Sequence, residues 1–176
     1  SAPFHATQSF DAALGLPPLL KNLTISPPFL VCQDIFIRFE IDKIHALHGC
    51  RIVEGSVAIL LMDEVKEKDV KNISFPELVE ITGYLMLYRI SGFKSLSKLF
   101  PNLAIIRGRD LFKDYSLIIY EMIDLNDIGL SNLIDIERGN VRIEKNEMLC
   151  YVDTVNWKKI TAVTYEPYLE VRIDLN

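Results

Sequence analysis

Between residues 75 and 83 the apolar positions include Phe75, Leu78 and Ile81, with polar side chains at Glu77 and Glu80 and a closing Gly83. The same order returns 25 residues later as Phe100, Leu103, Ile106 and Gly108, so Phe-Pro-x-Leu-x-x-Ile-x-Gly is written twice. Weaker copies flank the pair, Leu47 to Gly55 upstream and Leu133 to Gly139 downstream. Each glycine is followed by an apolar run: Val57 to Met62, Tyr84 to Ile90, Tyr115 to Met122 and Val141 to Lys145. A period of this size is the mark of a solenoid. The unit it predicts is strand, glycine turn, strand and return segment, taken about four times.

One such unit cannot cover its own apolar side. Stacking Leu over Leu and Ile over Ile builds a continuous core and gives every strand a parallel neighbour roughly 4.8 Å away. Pro76 and Pro101 precede the first strand of their turns, where a missing N–H does little harm. Alternation in the second strands predicts an inner set of Val57, Ile59, Leu61, Leu85, Leu87, Ile118, Tyr120, Val141 and Ile143. The opposite parity faces out: Ala58, Leu60, Met62, Met86, Tyr88, Ile90, Leu117, Ile119, Glu121, Arg142 and Glu144. That outer sheet is apolar for three turns and charged on the fourth, the make-up of a partner-binding face. A covering by the chain's own loops or by a neighbouring domain would explain the same pattern.

The ends read differently. Val31 to Ile37 is expected as a first strand, and Ile41, Ile44 and Leu47 recur at helical spacing before Gly49. Lys66 to Asp69 is expected as a solvated loop and Ser95 to Leu99 as a short helical turn. Trp157, in an apparent helix with Val155 and Ile160, is expected to plug the open end of the coil, and Tyr168 to Asp174 to return as an edge strand. Residues 1–30 carry five of the eight prolines and no repeat unit, which predicts a loosely packed N-terminal extension ahead of one domain over 31–176. Those first residues lack the basic start and apolar stretch of a signal peptide.

Composition narrows the function. A net charge of -5 and a pI near 5.2 do not suit the phosphate backbone of nucleic acid. The longest uninterrupted apolar run, Val57 to Met62, is far too short to cross a membrane. Cys32 and Cys50 bracket the expected helix, and a disulfide between them would contribute roughly 3 kcal/mol by closing a loop of that size. Cys150 is left over: its partner lies beyond Asn176, or it is a buried free thiol. Asn22-Leu23-Thr24 and Asn72-Ile73-Ser74 are glycosylation acceptors. His45 and His48 lack the further ligands of a zinc site, Glu80, Asp110 and Asp124 form no convergent acid–base set, and no nucleophile elbow or phosphate-binding loop occurs. Neither a cofactor nor a metal is called for.

Ser74 to Leu78, Leu99 to Leu103, Ile106 to Gly108, Leu111-Phe112, and Arg138 to Asn146 leading to Leu149-Cys150-Tyr151 and Trp157 resemble the first L domain of the insulin receptor and insulin-like growth factor receptor family. The match runs from Cys32 to Tyr151 nearly without gaps and continues less closely to the end. It implies a mainly β fold: a short right-handed parallel β-helix, related to leucine-rich repeats, with a capping α-helix and a C-terminal helix. It also implies an extracellular fragment of a larger ectodomain, cell-surface or secreted, with Cys150 paired to a later cysteine and any tyrosine kinase far away in the same chain.

The family's hormone face is the outer sheet, where an insulin-like peptide docks together with a C-terminal helical segment of the ectodomain, within a homodimer. Arg38, Leu60, Leu61, Leu111, Phe112, Glu121, Arg142, Glu144 and Lys145 keep the family's residues, Tyr88 replaces another aromatic, and Met86 joins the apolar platform. Phe36 stands where the family has Asp, Phe39 where it has Asn, Ala58 where it has Gln, and Asp63 and Lys113 where it has Phe. Such departures suit an invertebrate receptor with its own peptide ligand. Three other readings remain: a secreted decoy without a kinase, a scaffold packing on other receptor domains, and a β-helix enzyme acting on polysaccharide.

Overall fold

The computed structural model describes residues 30–161 and 171–173. Residues 1–29 of the expected N-terminal extension, Asn22 and most of the expected final strand lie outside the described residues, whereas Leu30, the extension's expected last residue, already belongs to the first strand. Within them the chain winds as a parallel β-helix of about five turns. One sheet consists of β1 (Leu30–Cys32), β3 (Cys50–Val53), β5 (Glu80–Ile81), β7 (Ile105–Ile106) and β9 (Asp135–Ile136), in that order. The other runs β2 (Ile35–Arg38), β4 (Val57–Met62), β6 (Leu85–Ile90), β8 (Tyr115–Tyr120), β10 (Asn140–Glu144) and β11 (Val171–Ile173). Every neighbouring pair is parallel.

The repeated residues form the core. Leu47, Leu78 and Leu103 are wholly buried with Ile81, Ile106 and Ile136, and the rings of Phe75 and Phe100 pack 6.2 Å apart. The residue just before the motif's Leu also stacks: Asn102 Nδ2 donates to the Pro76 carbonyl at 2.8 Å, and Asn132 Nδ2 to that of Pro101 at 2.7 Å. At the first corner the backbones approach closely, with the Gly83 N–H donating to Gly55 O at 2.7 Å and the Gly108 N–H to Gly83 O at 3.1 Å. A Cβ at Gly83 would lie 2.8 Å from the Gly55 carbonyl, which is why that turn must be glycine.

The second corner uses a different device. Arg38, Leu60, Tyr88, Tyr120 and Glu144 stand in one row across the six-stranded sheet. The residue after each one, Phe39, Leu61, Arg89, Glu121 and Lys145, adopts a left-handed conformation with φ between 52° and 62°. Strand alternation reverses there, so the next side chain turns into the core: Met62, Ile90, Met122 and Asn146 are all buried. Asn146 replaces a hydrophobe by answering two backbone groups, accepting from Met122 N at 2.8 Å and donating to Ile119 O at 2.9 Å.

This corner corrects the expected parity at three places. Leu61 stays with the outer patch rather than the core, while Met62 and Ile90 go in rather than out. In β8 the assignment inverts completely: Leu117 and Ile119 are core, and Ile118 and Tyr120 face out, because Met86 pairs with Ile118 and Tyr88 with Tyr120.

Three other expectations change. Val31 to Ile37 is two strands belonging to different sheets, with a corner at Asp34, whose Oδ1 accepts from Ser56 N at 2.6 Å. The helix between the cysteines is 3-10 rather than α, spanning Ile41–Leu47 and burying Ile44 and Leu47; the longer rise of a 3-10 helix lets seven residues cover the end of the coil. Lys66 to Asp69 is exposed as expected, yet Glu67–Val70 forms one turn of helix, α1, started by Asp69 accepting from Lys66 N.

Cys32 and Cys50 are joined, tying β1 to β3. Beyond the last turn lies α2 (Trp157–Ile160); Trp157 is buried into the core, and its indole N–H donates to Val152 O at 3.0 Å. No helix among the described residues is long and apolar enough to cross a membrane.

Candidate binding face

The outer surface of the six-stranded sheet is organised in rows set by parallel register. Phe36, Ala58, Met86, Ile118 and Arg142 form one row, and Arg38, Leu60, Tyr88, Tyr120 and Glu144 the next. The left-handed corner adds a third: Phe39, Leu61, Arg89, Glu121 and Lys145. Ala58, Leu60, Met86 and Ile118 make a small apolar cluster separate from the main core, with Leu61, Tyr84, Tyr88, Tyr115 and Tyr120 packed around it.

The middle strands explain the shape. Ala58 is short and Met86 lies buried within the cluster, so the partly buried tyrosines stand around them as a border. Tyr88 and Tyr120 lie 5.6 Å apart, and Tyr84 meets Phe112 at 6.0 Å. Phe112 reaches it from a tight turn in which Lys113 and Asp114 both take positive φ and Phe112 and Tyr115 exchange backbone hydrogen bonds at 3.0 Å. Leu111, partly exposed, sits against Gly139, where an added Cβ would strike its side chain.

Charge collects at the β10 end. Arg142 donates through Nε and Nη2 to Glu144 Oε2 at 3.0 and 2.8 Å, with its guanidinium 4.8 Å from the Tyr120 ring centre and 5.7 Å from that of Tyr115. The Glu144 hydrogen bond holds Arg142 more firmly protonated than usual, against the opposing effect of partial burial. Lys145 lies 5.1 Å from the same Tyr120 ring and 3.7 Å from Glu121, and its interaction with Tyr120 raises its pKa. Burial raises the Tyr84 hydroxyl, helped by the negative charges of Asp34 and Asp110.

At the opposite edge, Arg38 stacks on Phe36 at 4.4 Å. Phe36 and Phe39 are 56% and 68% exposed, high for side chains of that size.

Thus the expected site residues Arg38, Leu60, Leu61, Met86, Tyr88, Glu121, Arg142, Glu144 and Lys145 share one surface, with Leu111 and Phe112 on its margin. Sequence reasoning missed Ile118 and Tyr120, whose strand carries apolar or aromatic side chains on both faces from Leu117 on and gives no parity of its own. It also missed Tyr84 and Tyr115, which precede or begin their strands. The tyrosine recurrence at positions 84, 88, 115 and 120 was the available signal.

Asp63 and Lys113 are exposed, and Asp63 pairs with Arg89 at 3.0 Å. The alternative of a buried thiol is overturned, since Cys150 is exposed. Among the described residues, no three His, Cys, Asp or Glu side chains converge as metal ligands.

The family model described as "Receptor L domain" matches residues 49–161. A putative molluscan insulin-related peptide(s) receptor from Lymnaea stagnalis is 52% identical over 135 residues, covering 77% of this chain and 8% of the relative. The insulin-like growth factor 1 receptor of Xenopus laevis is 50% identical over 140 residues, covering 79% and 10%. The insulin receptor of the same species is 44% identical over 177 residues, covering 97% and 13%. The chain therefore spans about a tenth of the length of the curated relatives it matches.

Proposed function

Because the chain belongs to the receptor L domain family, with insulin and insulin-like growth factor receptors among its relatives, we propose that the outer face of its six-stranded sheet captures an insulin-like peptide. The module itself is non-catalytic, which removes the polysaccharide-cleaving alternative. In this reading it is part of a cell-surface, homodimeric receptor, and a C-terminal helical segment of the ectodomain completes the site.

The observation that carries the proposal is the layout of the face. Leu60, Met86, Ile118, Tyr88 and Tyr120 provide an apolar centre, with Arg38 on one side and Arg142, Glu144, Glu121 and Lys145 on the other. An apolar core with a polar rim is how peptide-binding surfaces combine affinity with orientation. The family's aromatics absent at Asp63 and Lys113 are offset by Phe36 and Phe39, which move exposed aromatic area to the β2 edge.

The test is titration of labelled insulin-like peptides into the whole ectodomain, comparing wild type with Tyr88→Ala and Arg142→Ala. Weakening by tenfold or more in each, roughly 1.4 kcal/mol, supports the assignment. Wild-type binding that neither substitution changes makes this domain a scaffold for its neighbours. Whether the full-length product carries a membrane span and kinase separates a signalling receptor from a secreted decoy.

A further inference from the structure

We propose that Asn72 carries an N-linked glycan that covers the return side of the coil and leaves the binding face open. Asn72-Ile73-Ser74 has the acceptor pattern, with no proline between. The structure adds what the pattern alone lacks. Asn72 is exposed in the turn that follows α1, while its neighbours are fastened: Ile73 is buried and its N–H donates to Val70 O at 3.0 Å, and the Phe75 N–H donates to Leu99 O at 2.9 Å. The acceptor thus stands on a fixed base with its carboxamide outward, and among the described residues no hydrogen bond engages that carboxamide.

Other asparagines show the contrast. The carboxamides of Asn102 and Asn132 are committed to the Pro76 and Pro101 carbonyls, and Ala104 and Ile134 stand where the hydroxyl residue is needed. Beside Asn72 runs a shallow groove floored by Val70, Ile73, Phe93 and Leu99 and rimmed by Lys71 and Lys98. None of its lining residues belongs to the binding face. A hydrated sugar chain leaving Asn72 would shield this partly apolar groove without reaching the outer sheet.

The transfer is chemically closed. Asn72 Nδ2 forms a bond to the anomeric carbon of an oligosaccharide carried on a lipid diphosphate. The carbon–oxygen bond to the diphosphate breaks, the diphosphate leaves with the electron pair, and Nδ2 gives up one proton. The inference rests on the extracellular part of the proposed function, since the donor and its transferase belong to the secretory route.

The experiment secretes the full-length protein from an animal cell line and maps the peptide spanning residue 72 by mass spectrometry, before and after enzymatic deglycosylation. The oxidation state of Cys32 and Cys50 is read in the same sample. Expected is a glycopeptide in wild type and in Ser74→Thr, its loss in both Asn72→Gln and Ser74→Ala, and peptide-hormone affinity within twofold of wild type in all four proteins. An unmodified wild-type peptide in a protein with Cys32 and Cys50 oxidised overturns the site alone. An unmodified peptide with both cysteines reduced overturns the extracellular reading along with it. A glycan present but with hormone affinity rising severalfold in Asn72→Gln overturns the separation of glycan and face.

Discussion

Replacing Tyr120 with alanine tests both the corrected parity of β8 and the function placed on that face. The ring stands 5.6 Å from Tyr88, with the Arg142 guanidinium at 4.8 Å and the Lys145 ammonium at 5.1 Å. An aromatic pair is worth about 0.5–1.5 kcal/mol, and a cation over a partly exposed ring about 0.5–1 kcal/mol. These contacts share one ring and are not independent, so the expected loss of folding stability is about 1–2 kcal/mol. An inward Tyr120 would instead leave a core cavity costing about 3–5 kcal/mol. Urea unfolding followed by the fluorescence of Trp157, the single tryptophan, distinguishes the two. Titration of an insulin-like peptide into the whole ectodomain should show at least tenfold weaker binding, about 1.4 kcal/mol. Tyr120→Phe keeps the ring and should stay within about threefold of wild type. A Tyr120→Ala protein that is folded and binds at full strength would refute the assignment of the hormone to this face.

Three further outcomes concern the scaffold. Gly108→Ala should cost about 2–4 kcal/mol in urea unfolding, since Gly108 has φ 62° and a Cβ there would land on the Arg138 carbonyl; Gly49→Ala, with φ 74° but its nearest atom at 3.7 Å, should cost only about 1 kcal/mol. Asn146→Ala leaves the Met122 N–H and Ile119 C=O without their side-chain partner inside the coil and should destabilise by about 2–4 kcal/mol, a value below 1 kcal/mol indicating that water replaces the carboxamide. Arg107 grips both carboxylate oxygens of Glu80 and also reaches Glu137, lowering the Glu80 pKa chiefly through the hydrogen bond. A depressed folded-state pKa gives stability that is present above the unfolded value near 4.3 and is lost as pH falls through the folded one. The gap between wild type and Arg107→Met, about 1–3 kcal/mol at pH 7, should therefore close on acidification below about pH 4, and a pH-independent gap would point to packing instead.

The sequence announces the coil because its core must repeat. Leu78 and Leu103 occupy equivalent, wholly buried places in successive turns, where a smaller side chain would leave a cavity and a larger one would clash. What the repeat does not announce is which way a strand such as Ser116 to Tyr120 faces, since side chains on both of its surfaces are apolar and buried. Parity there is inherited from the register with β6, a pairing between residues about thirty positions apart that no local pattern encodes. The candidate face was legible at its β10 end, where Arg142 and Glu144 alternate with Val141 and Ile143, and illegible in its middle for the same reason. The first strand was misread because Asp34 makes a corner without glycine or proline.

The two corners of the coil solve one geometric problem in opposite ways, and the difference bears on function. At the first, Gly55, Gly108 and Gly139 take positive φ where a side chain would collide with the neighbouring turn. At the second, five consecutive turns place Phe39, Leu61, Arg89, Glu121 and Lys145 in the left-handed region, each at a cost of about 1 kcal/mol relative to glycine. Glycine would relieve that strain but loosen the unfolded chain, and it would forfeit the contacts these side chains make. The strained residues line one border of the outer face, and Leu61, Glu121 and Lys145 contact the tyrosine-framed patch or its charged rim. Reversing the alternation at this border lets one chain position supply a core residue and the position before it a rim residue, without lengthening the turn. A surface needing that rim can be refined one turn at a time while Met62, Ile90, Met122 and Asn146 hold the coil beneath it.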